Sequence, residues 1–332
     1  MTDTKPSLLE LGYWLSSEEH DPKVLVRNAA RAEEVGFRLA GISDHFHPWV
    51  PEQGQSPFVW SVLGGIAEAT DQLCVGTGVT APLIRMHPAI VAHAAATAAV
   101  MLDGRFFLGV GTGERLNEHI TGVHWPRPDV RREMLEEAVS IIRRLWEGEP
   151  VEHHGAHYTV EQAQLFTRPE RPPPIVVAGS STKSAELAGR IGDGFFGVIP
   201  SSLHVDTFEG AGGASKPRVA QIHVCWAATE DQARQTATRW WPNAALKGTA
   251  ITELAHPKDF AQVLTLARPD DIVETIALGP DPQRHLDLIA IYAKAGFNQI
   301  LIHQIGPDQE GFLRFYEKEL MTALNDASPG AR

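Results

Sequence analysis

Short apolar runs alternate along this chain with longer stretches whose apolar residues recur at helical spacing. Leu8–Trp14 reads as a first strand. Asp21-Pro22 then opens a helix to about Val35, with Val24, Leu25, Ala29, Ala32 and Val35 on one face and Gly36 at its end. Phe37–Ser43 is a second strand, Phe58–Thr70 a helix and Leu73–Thr80 a third strand. Pro88–Leu102 is alanine-rich and apolar at every turn, which predicts a well-buried helix before a fourth strand at Phe106–Gly111. Asp129–Trp146 is helical, with Met134, Ala138, Ile141, Ile142 and Leu145 on one face. His153–Thr167 reads as a hairpin turning at His154-Gly155. Strands follow at Pro174–Ala178, Gly194–Val198, Arg218–Ala228 and Gln299–Gln304, with helices at Thr182–Ile191, Asp231–Arg239 and Glu310–Leu324.

A repeated strand–helix order implies a parallel sheet with right-handed crossovers. Eight such strands in one chain predict an α/β fold of the (β/α)8 TIM-barrel type, as a single domain over residues 1–332. Segments at about 112–128, 150–167, 200–216 and 242–279 interrupt the alternation and read as insertions on the functional rim. The rival, a doubly wound sheet, lacks the G-x-G-x-x-G expected after its first strand.

Composition narrows the function. Lys and Arg total 29 against 41 Asp and Glu, a net charge of −12, so nucleic acid and anionic membranes are poor partners. No apolar run is long enough to span a bilayer, and the polar start lacks a signal core. Cys74 and Cys225 form no disulfide framework, which suits the cytoplasm. The tail 327–332 reads as a frayed terminus.

Barrel chemistry sits at the C-terminal strand ends, so the polar residues after each apolar run are the candidates. Ser43-Asp44-His45-Phe46-His47-Pro48-Trp49 supplies a carboxylate, two imidazoles and an indole in one turn. Such a turn can move a proton and wall a flat ring, or be a capped turn with Asp44 as the cap. Gly109–Gly113 ends in Glu114, a rim carboxyl suited to acid catalysis, with glycines that would let a ligand approach the backbone. A solvated turn fits the same residues. Ala178-Gly179-Ser180-Ser181-Thr182 precedes a helix and suits either a phosphate or an ordinary N-cap. Trp240-Trp241-Pro242 reads equally as packing or as a ligand wall. No H-E-x-x-H, G-x-S-x-G or Walker loop is present, the His153, His154 and His157 group falls in the hairpin, and no metal is expected.

Taken together, the turn at 43–49, Gly-Val-Gly-Thr-Gly-Glu at 109–114 with Asn117-Glu118, and Gly189–Phe195 give the chain its resemblance. From about Leu11 to about Leu324 it resembles the bacterial luciferase-like superfamily, and within it the deazaflavin (coenzyme F420)-dependent oxidoreductases related to sugar-phosphate dehydrogenases. The resemblance implies a (β/α)8 barrel, a homodimer and hydride transfer between C5 of F420 and a small-molecule substrate. It assigns Asp44 to the deazaflavin, His45 to the catalytic base, Trp49 to a place beside the reacting ring and Glu114 to the acid. Asn117 becomes a cofactor contact, Gly78-Val79 the bulge, often with a cis peptide, behind the ring, Gly179 and Ser180 the phosphate region, and Glu18 a pocket glutamate.

The substrate side departs from that resemblance. Ser201, Ile251 and Thr275 stand where the sugar-phosphate enzymes carry two lysines and an arginine, and Thr252 replaces a histidine. A phosphate dianion would lose several charge-assisted hydrogen bonds there unless Lys247, Lys258 or Arg268 compensates. The expected substrate is an alcohol or carbonyl compound other than glucose 6-phosphate. The competing readings are an FMN-dependent monooxygenase, a sugar-phosphate dehydrogenase with a rearranged phosphate site, and a non-catalytic flavin binder.

Overall fold

The computed structural model describes residues 9–327. Residues 1–8 and 328–332, with the strand start expected at Leu8 and most of the expected frayed tail, lie outside the described residues. Eight parallel strands form the barrel: β1 (Glu10–Leu15), β2 (Leu39–Ile42), β3 (Cys74–Thr77), β4 (Phe106–Val110), β5 (Ile175–Ala178), β6 (Gly194–Gly197), β7 (Arg218–Cys225) and β8 (Gln299–Gln304). Each pairs with the next, and β8 closes the ring on β1 through Glu10↔Gln299 to Tyr13↔Ile302. All eight expected strands are barrel strands. A short extra strand, Ala277–Leu278, pairs with the end of β7.

The strands read as continuous apolar runs because both faces are buried. One face packs outward on the helices, with Val75, Leu108, Ile175 and Ile300 fully buried. The other fills the barrel with Trp14, Leu39, Phe107, Phe196, Val219 and Leu301. The Pro88–Met101 helix is alanine-rich because it is wedged between barrel and neighbouring helices, with Ala92, Ala95 and Ala96 fully buried.

Gly109 on β4 and Gly111 just after it serve this packing. A Cβ on Gly109 would lie 1.8 Å from the Thr77 carbonyl oxygen, and one on Gly111 would lie 2.6 Å from Val79 Cγ2. Gly109→Ala therefore forces the strands apart. We expect a loss at or above the top of the about 1–3 kcal/mol range for overpacking, read by urea denaturation.

The insertions contain helices. Residues 112–128 hold Arg115–Glu118, 200–216 hold Ser202–Phe208, and 242–279 hold Ala250–Glu253, Pro257–Leu264 and Pro269–Val273. The hairpin is Val151–His154 with Thr159–Ala163. Glu137 ties it to the Pro128–Glu147 helix, accepting from His153 Nε2 at 2.9 Å and from the Tyr158 N–H at 3.0 Å. A further helix, Pro282–Lys294, leads into β8; the apolar pattern alone does not assign it.

Candidate active site

The C-terminal mouth gathers most of the predicted residues. Glu18 follows β1, Asp44 to Trp49 follow β2, Gly78-Val79 follow β3, and Glu114 and Asn117 follow β4. Gly179 and Ser180 follow β5, ahead of the Thr182–Ile191 helix.

His45 lies at the centre. Its Nδ1 is 3.2 Å from the His47 carbonyl oxygen and 3.4 Å from Glu18 Oε1. Both partners are acceptors, so in the neutral ring the proton sits on Nδ1 and Nε2 keeps its lone pair. Nε2 faces Glu114 Oε2 across 4.0 Å. The gap is too long for a direct hydrogen bond. Glu18 is itself fixed: its Oε2 accepts from Ser43 Oγ at 2.6 Å and Ser16 Oγ at 3.0 Å. The Trp49 ring closes one side, edge-on to His45 at 4.9 Å and against Phe260 at 5.5 Å.

Asp44 is buried and is not a helix cap. Its Oδ2 accepts from Thr80 Oγ1 at 2.7 Å and its Oδ1 from Arg85 Nη2 at 2.8 Å. Arg85 also faces Glu118, whose carboxyl burial raises above the ordinary glutamate value. Asn117 knits the turn after β2 to the segment after β4. Its Oδ1 accepts from the N–H groups of Phe46 (2.9 Å) and His47 (3.2 Å), and its Nδ2 donates to Glu114 Oε2 at 3.2 Å.

The Gly78–Val79 peptide is cis, the conformation implied by the resemblance. Gly78 has no room for a side chain, since a Cβ would lie 2.3 Å from the Trp14 indole. Both residues are half-buried, so this side of the mouth presents backbone and a small apolar side chain. Across the mouth, Ser181 caps the Thr182–Ile191 helix through Ser184, and Gly179 packs tightly on that first turn. Ser180 is exposed there. A flat wall, a base, a nearby carboxyl and a helix N-terminus suit a planar redox ring with an anionic tail.

The residues at the expected phosphate positions are not cationic in their settings either. Ser201 caps Ser202–Phe208, Thr275 is exposed, and Ile251 packs on the apolar cluster around Trp49 and Phe260. Thr252 donates to the Thr249 carbonyl. Lys247 pairs with Glu274 and Arg268 with Asp271, all at the surface, and Lys258 is exposed. The aromatic pair at 240–241 is resolved in favour of packing at Trp241, which is buried against His223 and His303.

Several structural contributors escape the sequence pattern: Thr80 and Arg85 around the carboxylates, and Glu19, His303 and His223. Among the described residues no group of three His, Cys, Asp or Glu is placed to hold a metal, and no helix is long and apolar enough to cross a membrane.

The closed parallel barrel and its mouth define a luciferase-like protein. A family model described as luciferase-like monooxygenase matches residues 7–299. The chain belongs to this family, and within it lies close to enzymes that use F420. It is 34% identical to the F420-dependent glucose-6-phosphate dehydrogenase of Microbacterium testaceum, over 95% of this chain and 97% of that one. It is 32% identical to the enzyme of that name from Mycolicibacterium smegmatis, over 95% and 98%. A solved F420-dependent secondary alcohol dehydrogenase in complex with an F420–acetone adduct superposes with a TM-score of 0.87 and 29% identity, covering 94% of this chain and 98% of that one.

Proposed function

We propose that this chain is an F420-dependent oxidoreductase that moves a hydride between the deazaflavin and a small alcohol or carbonyl compound. The observation that carries the reading is His45, whose Nδ1 is held by Glu18 and the His47 carbonyl while its Nε2 faces Glu114. F420, when bound, supplies a carbon centre at C5 that takes or gives the hydride.

This chain's own residues do the rest. Gly78 and Val79 would back the ring, Asp44 and Asn117 would hold the loops and the ring's polar edge, and Gly179 with Ser180 would receive the phosphate. In the oxidising direction His45 Nε2 takes the hydroxyl proton of the alcohol. Glu114, partly exposed, would hold or deliver a proton at the ring. Trp49 packs beside the substrate and excludes water. Trp49 stands on an apolar cluster with Phe260 and Ile251, and Lys247 and Arg268 are each paired with a carboxylate at the surface, which supports an uncharged substrate over glucose 6-phosphate. We read the enzyme as one domain, homodimeric on family grounds. A cytoplasmic location is supported by two free cysteines.

Fluorescence titration of the purified apo-protein with F420 and, in parallel, FMN tests the reading. Saturable binding of F420 at micromolar concentration with little response to FMN is expected. Preference for FMN overturns it in favour of oxygen-dependent chemistry, and strong competition by glucose 6-phosphate for turnover overturns the substrate class.

A further inference from the structure

Glu18 and Glu19 are consecutive, yet they serve opposite sides of the mouth. Glu18 supports His45 after β2, whereas Glu19 supports His303 on β8. Glu19 Oε2 lies 2.6 Å from His303 Nε2, and His303 Nδ1 lies 2.9 Å from His223 Nδ1 on β7. Glu19 and His303 are sealed in, and Trp241 covers both imidazoles. His223 is half-buried. It shares the inward face of β7 with Val219 and Gln221, so its open edge faces the mouth of the barrel.

Hydrogen-bond order runs through this chain of groups. An ionised Glu19 takes the proton of His303 Nε2, so His303 Nδ1 is an acceptor. His223 Nδ1 must then donate to it, and His223 Nε2 is left bare. We propose that His223 is a substrate-orienting residue, its bare Nε2 accepting a hydrogen bond from a second hydroxyl of a substrate whose reacting hydroxyl is held at His45. The inference rests on the alcohol–carbonyl reading above and narrows the substrate to a diol or polyol without a phosphate.

Burial lifts the Glu19 carboxyl to about 7 and holds His303 down to about 3, so His303 stays neutral and any charge sits on Glu19. The groups around Glu19 are Glu18 and His20 on its own loop, Tyr13 on β1, Cys225 on β7, and His303 with the Gly306 N–H after β8. Above about pH 7 the carboxylate form, and with it the acceptor at His223, prevails.

Glu19→Gln reverses the chain. The Gly306 N–H donates to Glu19 Oε1 at 2.8 Å, so the glutamine oxygen must stay there and its NH2 must face His303. His303 Nδ1–H then donates to His223, and His223 Nε2 gains a proton. The test uses F420-loaded protein with nitrogen-labelled histidine at about pH 8, one unit above the Glu19 value of about 7. NMR should show a bare His223 Nε2 that butane-2,3-diol shifts and propan-2-ol does not. Glu19→Gln should show a protonated one. In His223→Phe the diol-to-monoalcohol ratio of kcat/KM should fall about tenfold, the loss of one hydrogen bond. A protonated Nε2 in the wild type, no diol-specific shift, or equal loss on both alcohols overturns the proposal. Failure of every alcohol to reduce F420 would instead sink the reading it rests on, and the diol-induced shift at His223 would remain readable.

Discussion

Replacing His45 with alanine lowers kcat by about 10²–10⁴-fold, the span that general acid–base help supplies, while F420 affinity stays near the wild-type value. The asymmetry follows from the contacts. The substitution removes Nε2, the group placed to take the hydroxyl proton, yet it leaves the Gly78-Val79 wall and Asp44 in place. Glu18 loses one neighbour but keeps both serine hydroxyls, so the loop has no new unpaired carboxylate to accommodate. The measurements are the rate of F420 reduction at saturating alcohol and the F420 fluorescence titration of the same variant. Unchanged turnover would remove His45 from the mechanism. Loss of F420 binding in step with turnover would make it a structural residue.

The barrel was legible because parallel strands buried on both faces leave uninterrupted apolar runs, and the helices between them carry local start signals such as Asp21-Pro22. The turn at 44–49 and the segment at 109–118 were legible for a related reason: each packs its chemistry into a few consecutive residues. What joins them was not. Asn117 reaches back to the N–H groups of Phe46 and His47, and Arg85 reaches Asp44, through a register that only the closed sheet creates. Glu19 meets His303 because β8 returns to β1, so no spacing rule reveals the pair. The 242–279 insertion hid its helices because none exceeds eight residues, too short for a helical period to register. Pro282–Lys294 is a different case. Its Asp281 cap and Pro282 start are ordinary signals, but its buried face is narrow, with only His285, Ile289 and Tyr292 fully inside.

The second large effect falls on stability. Arg85→Met should cost about 3–5 kcal/mol, the range for removing one partner from a buried charge cluster. The side chains of Arg85, Asp44 and Glu118 are 7%, 1% and 1% exposed, so solvent screens little of the interaction. Methionine fills much of the same volume, but it leaves two carboxylates facing each other without a cation. Asp44 retains only Thr80 Oγ1, and Glu118 retains the backbone N–H groups of residues 84 and 85. The deficit has a pH sign. Burial already raises the Glu118 pKa, and Arg85 opposes that shift. Without the guanidinium the folded value rises further above the unfolded one, so the native state binds its proton more readily than the unfolded chain does. That contribution is harmless below the unfolded glutamate pKa and becomes destabilising as pH rises through the folded value. Urea denaturation of wild type and variant at acid and at mildly alkaline pH should show the gap widening toward the alkaline side. A gap independent of pH would mean that Arg85 contributes packing rather than charge, and a gap that widens toward acid would reverse the assignment. Because Asp44 is held by the same guanidinium, weaker F420 binding should accompany the stability loss, a link that His45→Ala does not share.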